Sequence, residues 1–171
     1  RLHLKVNKEK TVVSYVRGVK YLGYSFYINK GKCLLTVHPK TKAKMRRRLK
    51  ELTGRSNGMG YAKRKKELRL YIKGWVNYYH LATMKRLTEE TDEWLRRRLR
   101  MCIWKSWKLP KTRSKNLIKC GINKYNARRW GCVKGYWRVA GSPIMHMAAS
   151  NVNLRKAGYT FLYDEYVKWL P

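Results

Sequence analysis

The sequence predicts a mainly α chain. A small N-terminal antiparallel β-ribbon comes first, then a bundle of three helices, then a C-terminal segment of short helices. Three observations predict it. Residues 1–37 alternate, or are rich in β-branched and aromatic side chains. From residue 40 to 108, apolar side chains recur at helical spacing in three successive stretches. After Pro110, glycine and proline break the pattern into short pieces.

In the first part, LHLKV alternates, TVVSYV is β-branched and VKYLGYSFYI is aromatic with partial alternation, so each reads as strand. Asn29-Lys30-Gly31-Lys32 is a turn signal, and CLLTV follows as another strand. At His38-Pro39 the texture changes, because proline fits a first helical turn. Met45, Leu49 and Leu52 then form one stripe of a helix from Lys40 to Leu52. GRSNGMG, 54–60, is a loop.

A second helix is expected from about Tyr61 to Thr83, with Leu68, Ile72, Trp75, Val76 and Tyr79 as its apolar stripe. Within YIKGWVNYYH, 71–80, Tyr71, Gly74 and Tyr78 make a second strip, where glycine would let another helix pack closely. KRKK at 63–66 opposes the helix dipole, which points to a purpose other than helix stability. The third helix is expected to start near Thr88 as N-cap, with Glu89, Glu90, Asp92 and Glu93 in its first turns. Leu95, Leu99, Cys102, Ile103 and Ser106 form its inward stripe, and Leu109-Pro110 ends it. Beyond lie a short helix at 112–120, a loop or short strand at 131–143, and short helices at 143–150, 151–157 and 160–169.

Charge dominates the composition of the 171 residues: 42 Lys and Arg against 9 Asp and Glu, for a net +33. That charge repels itself unless a polyanion neutralises it. Nucleic acid fits best, because the basic residues run from Arg1 to Lys168, whereas a membrane-surface protein needs only a few on one helix. No apolar run approaches 18 residues, so no membrane span is expected, and the spread of charge leaves the membrane out as a partner. A chain that is 44% hydrophobic has material for a core. It begins RLHLKVNKEK, without Met or an apolar leader, and reads as a piece of something longer.

Chemistry-bearing motifs are few. Cys33, Cys102, Cys120 and Cys132 form no C-x-x-C pair, and His3, His38, His80 and His146 complete no zinc pattern. The thiols read as reduced and buried. Asp92 is accounted for by dipole compensation, and Asp164-Glu165 by solvation or salt bridging. No catalytic residue, metal ligand or cofactor is expected in the chain.

The basic clusters say more. KAKMRRRLK, KRKKELR and LRRRLR each lie on an expected helix beside an apolar stripe, with Lys44, Arg47, Arg48, Lys63, Arg64, Lys65, Lys66, Arg96, Arg97 and Arg100 as candidate phosphate contacts. Lys73 shares the remaining face of the second helix with Asn77 and His80. Further on, Lys134-Gly135-Tyr136-Trp137-Arg138 interleaves aromatic and basic residues. Trp137 is there either a stacking ring or a core anchor. Arg113 and Lys115 are candidates in the same C-terminal third.

Together these blocks resemble the C-terminal part of bacterial group II intron reverse transcriptase/maturases that lack an endonuclease domain. LKVNKEKT and KYLGYSF resemble the last palm segments; HPKTKAKMRRRLKELT, YIKGWVNYYH and WLRRRLRMCIWKSWKLPKTR resemble the maturase-specific or thumb region; KGYWRVAGSPIMHMAASNVNL and YTFLYDEY resemble the tail. The resemblance implies three parts: the end of the palm at 1–38 with a primer-grip-like hairpin at Leu22, Gly23 and Tyr24, a thumb-like bundle at 39–108, and a nucleic-acid-binding region at 109–171. It implies group II intron RNA, an RNA/DNA template–primer duplex and a DNA target as partners, along with the fingers and palm of the full protein, in the bacterial cytoplasm. The family's Y-x-D-D box is absent, so Mg²⁺ is expected only in the polymerase centre that this chain lacks, and the chain alone should be inactive. The other readings are a stand-alone basic RNA-binding protein of ribosomal or splicing-factor type, and a small nuclease using Asp92, Glu93 or Asp164.

Overall fold

The computed structural model describes residues 14–16 and 19–170. The strand expected over LHLKV lies outside the described residues, as does the start of TVVSYV; residues 14–16 are not strand. The sheet has three antiparallel strands in the order β1 (Lys20–Tyr21), β2 (Tyr24–Asn29) and β3 (Lys32–Val37). Tyr21 pairs with Tyr24, and β2 pairs with β3 from Tyr24↔Val37 to Asn29↔Lys32. The single strand expected over VKYLGYSFYI is therefore folded in two. Leu22 and Gly23 both sit at positive φ, 49° and 88°, the two-residue turn whose twist matches a hairpin. Lys30 and Gly31 solve the second turn the same way, at 48° and 74°.

Helix α1 (Pro39–Leu52) starts where proline and the stripe place it, and His38 caps it by accepting the Lys40 N–H on its Nδ1 at 3.1 Å. Met45, Leu49 and Leu52 are buried as expected. Helix α2 (Tyr61–Tyr79) ends four residues before Thr83, whose N–H instead donates to Leu35 on β3 at 2.9 Å. Helix α3 (Lys85–Ser106) begins before Thr88. Thr88 is buried inside the helix and its hydroxyl donates back to the Lys85 carbonyl at 2.7 Å, so it caps nothing. Along the inward stripe Leu95, Leu99 and Cys102 are buried, but Ser106 is exposed.

The C-terminal part holds α4 (Pro110–Lys119), α5 (Lys124–Gly131), α6 (Tyr136–Ala140), α7 (Pro143–Ala148), α8 (Asn151–Lys156), α9 (Leu162–Tyr166) and a 3₁₀ turn at Val167–Trp169. Two helices correct the sequence reading. Helix α5 starts on Asn123, whose side chain accepts the Asn126 N–H at 2.8 Å. Helix α6 occupies the stretch expected to be loop or strand. Gly131 misled there: it is the last residue of α5, packed on α4. A Cβ on it would collide with Ser114 Oγ and lie 2.9 Å from the Pro110 carbonyl.

The main hydrophobic cluster runs from Val37 to Tyr166, so the ribbon's end, the bundle and the C-terminal helices share it. Helix α9 packs on α2 and α3. Asp92 joins it there, and this corrects the dipole account of that residue. Its carboxylate is buried and accepts the Leu162 and Tyr163 N–H groups at 2.9 and 2.8 Å, capping α9 rather than its own helix. Burial pushes its pKa up to about 6 against the pull of those two N–H groups. Asp164 is salt-bridged, as expected, with both oxygens on Arg155 at 2.7 and 2.8 Å. Of the cysteines only Cys102 is buried; Cys33, Cys120 and Cys132 are exposed.

Candidate nucleic-acid interface

The basic clusters separate by what each helix leaves uncovered. On α1, Lys44, Arg47 and Arg48 lie off the buried stripe and are exposed. Arg48 makes an ion pair with Glu51 at 3.0 Å, half-exposed at both ends and so weak. On α2, Lys63, Lys66 and Lys73 share one solvent-facing strip with Arg69. Lys65 is half-buried and donates to the Ala157 carbonyl at 3.0 Å. Lys115 on α4 is exposed, as are Lys134 just before α6 and Arg138 on it.

Three candidates do not face water. Arg64 is 6% exposed, and its guanidinium donates to the Leu52 and Gly54 carbonyls and to Asn57. Arg100 is 4% exposed, donating to the Ala149 carbonyl at 3.0 Å and to Asn151 at 3.1 Å. Arg113 is 9% exposed, donating to the carbonyls of Trp107, Gly131 and Val133 and lying 4.8 Å from the Trp104 ring centroid. All three bind carbonyls at or just past helix C-termini, where the backbone leaves acceptors unmatched and the dipole is negative. In this structure they hold the scaffold.

Arg98 does the same and was missed in the sequence: it donates to the Lys50 and Thr53 carbonyls and the Thr53 hydroxyl at the end of α1. Its one sequence signal is its place beside the Leu95–Leu99–Cys102 stripe. Arg96 is half-buried over the Phe161 ring, and Arg97 over Trp137. Tyr136 is half-buried against the core, with Arg55 over its ring, whereas Trp137 keeps 42% of its surface exposed.

The hairpin turn at Leu22, Gly23 and Tyr24 docks on the C-terminal end of α2 and the start of α1. Tyr24 Oη donates to the Tyr78 carbonyl at 2.5 Å, Tyr78 Oη to the Leu22 carbonyl at 3.3 Å, and Thr41 Oγ1 to the Gly23 carbonyl at 3.1 Å. A Cβ at Gly23 would collide with Tyr79 Oη, so glycine answers both the φ and the close approach. The rings of Tyr24, Trp75, Tyr78 and Tyr79 pack together here, with centroids 4.7–6.3 Å apart. Burial and the neighbouring phenols push the Tyr24 pKa up, which keeps it a donor. Gly74 corrects the packing expectation: a Cβ on it would meet nothing, and it opens on a shallow exposed surface with Leu70 and Tyr78.

Among the described residues no three His, Cys, Asp or Glu side chains converge as a metal site, and no helix is long and apolar enough to cross a membrane. Fold and surface define a basic helical module with uncompensated cationic strips on two adjacent helices. Residues 42–121 match the family model for the group II intron, maturase-specific domain. That segment runs from α1 to just past α4, and the match supports a fragment of a group II intron maturase. No curated protein matches the chain.

Proposed function

We propose that the chain binds group II intron RNA and supports its splicing, and that in the full reverse transcriptase the same bundle closes on the RNA/DNA template–primer duplex. One observation carries this reading. Within the matched segment, Lys44 and Arg47 on α1 and Lys63, Lys66 and Lys73 on α2 face solvent with no carboxylate partner among the described residues. Unpaired cations of this kind displace counterions from phosphates, which makes binding strong, salt-sensitive and largely indifferent to sequence.

The other parts take roles consistent with that. The turn at Leu22, Gly23 and Tyr24, tied to α1 and α2, would present the primer strand to the polymerase centre. Lys115, Lys134 and Arg138 in the C-terminal segment would contact intron RNA or the DNA target. Catalytic carboxylates and Mg²⁺ would come from the fingers and palm, and no chemical step is assigned to this chain.

Titration of the chain with its intron RNA at two salt concentrations tests the reading. For roughly 6 to 10 phosphate contacts, affinity should fall by about 10³–10⁵ between 50 and 200 mM salt. An affinity that hardly changes over that range would overturn the proposal.

A further inference from the structure

We propose that Trp137, backed by Arg97, is a stacking site for one unpaired nucleobase. The inference rests on the nucleic-acid reading above and adds a single-stranded ligand to the duplex and folded RNA considered there.

Trp137 lies on α6 with its ring over the Arg97 guanidinium, 4.2 Å from centroid to Cζ. Arg97 is held in that position. Its Nη2 donates to the Trp137 carbonyl at 3.3 Å. Gly141 lies close behind it: a Cβ there would come within 3.0 Å of the guanidinium. Arg97 Nε is buried without a hydrogen-bond partner. One face of the indole is thus backed by a fixed cation, while the residue remains 42% exposed. An exposed tryptophan backed by a guanidinium offers its other face as a platform, and stacking needs only the π-face that every base has.

The surroundings are compatible with an uncharged base. Trp137 and Arg97 line a cavity of about 370 Å³ together with Arg100, Glu90 and Glu93. Glu90 is paired with Arg86 at 2.8 Å; Glu93 is exposed and has no ion-pair partner among the described residues. In a chain with 9 acids, two line this one cavity. Against Arg97 and Arg100 in the same lining, these two carboxylates bring the formal charge near zero, so the cavity does not draw phosphate as the strips on α1 and α2 do. Lys134 just before α6 and Arg138 next to Trp137 on it are both exposed, and they are the cations nearest in sequence for the flanking phosphates of that nucleotide.

The test is binding of the full chain to a nine-nucleotide single-stranded RNA of mixed sequence, to the same oligonucleotide with abasic positions, and to the matching duplex. Trp137→Leu should weaken single-strand binding roughly tenfold. The salt slope should stay the same, and duplex affinity should stay within about twofold. Trp137→Phe should recover most of the loss. Because Trp137→Leu could disturb α6, the abasic oligonucleotide gives an independent reading on the unaltered chain. It should bind roughly tenfold more weakly there, and Trp137→Leu should not weaken it further. Equal binding of the intact and abasic strands by the unaltered chain would overturn the stacking site while leaving the intron-RNA reading in place. Failure of the unaltered chain to bind any of the three would remove both.

Discussion

Helices α1 and α3 carry nearly the same arginine run, MRRRL at 45–49 and LRRRL at 95–99, and put it to opposite use. On α1 all three arginines are exposed, because the helix buries one stripe and leaves the rest to solvent. Helix α3 is packed by α9 on one side and α6 on another, so its arginines lie against protein. Arg98 reaches the end of α1, Arg97 stacks on Trp137, and Arg100, one position past the run, reaches the end of α7. A buried guanidinium needs acceptors. In a chain with so few carboxylates, the acceptors are carbonyls at helix C-termini. Asp92 shows the same exchange with the sign reversed, buried against the N–H groups that open α9. Backbone ends balance buried charge here, which leaves the net positive charge free to face a polyanion.

The sharpest break of this comparison is Arg100→Ala. It leaves the Ala149 carbonyl and Asn151 without their donor and should cost about 3 kcal/mol, read as a lower urea midpoint with an unchanged salt slope of RNA binding. If the slope fell and stability held, Arg100 would belong with the α1 arginines instead.

Asp92 supplies the next largest effect. Its pKa of about 6 lies above the ordinary 3.8, so the folded chain holds that proton more tightly than the unfolded chain. The resulting stability is full below about pH 4 and is lost as pH rises through about 6, by about 2 to 3 kcal/mol in all. Asp92→Asn should flatten denaturation midpoints across that window, and an unchanged pH dependence would count against the assignment.

Arg98→Lys is a smaller probe. An ammonium cannot reproduce the planar fork that meets the Lys50 and Thr53 carbonyls, so a loss of about 1 kcal/mol is expected despite the conserved charge. Arg47→Gln should have the smallest effect on stability, within about 0.5 kcal/mol. It should nonetheless lower RNA affinity and reduce the salt slope by about one. Measured side by side, these two substitutions separate scaffold arginine from phosphate-facing arginine.

Two glycines show how far such roles could be read in advance. Gly74 interrupts an aromatic helix and invites a packing account, yet its face is open. Gly131 sits in a glycine-rich run and invites a loop account, yet it is a close contact between α5 and α4. The difference depends on what lies across from each, which local composition does not contain. The hairpin at Leu22-Gly23 was hidden for another reason: a leucine at positive φ is uncommon, so no turn signal marks it. By contrast, Met45, Leu49, Leu68, Ile72, Leu95 and Leu99 were all legible as core, because apolar spacing commits a helix face to burial wherever that helix packs.

By itself the sequence determined the helical class, the buried stripe of each long helix, and a charge that calls for a polyanion, since these follow from spacing and composition. Only the tertiary structure decided which arginines meet that polyanion. A helical pattern identifies the first face to be covered. Whether a second face is covered depends on distant segments such as α6 and α9, and in α3 that second covering turned candidate ligands into the hydrogen-bond donors that hold the fold.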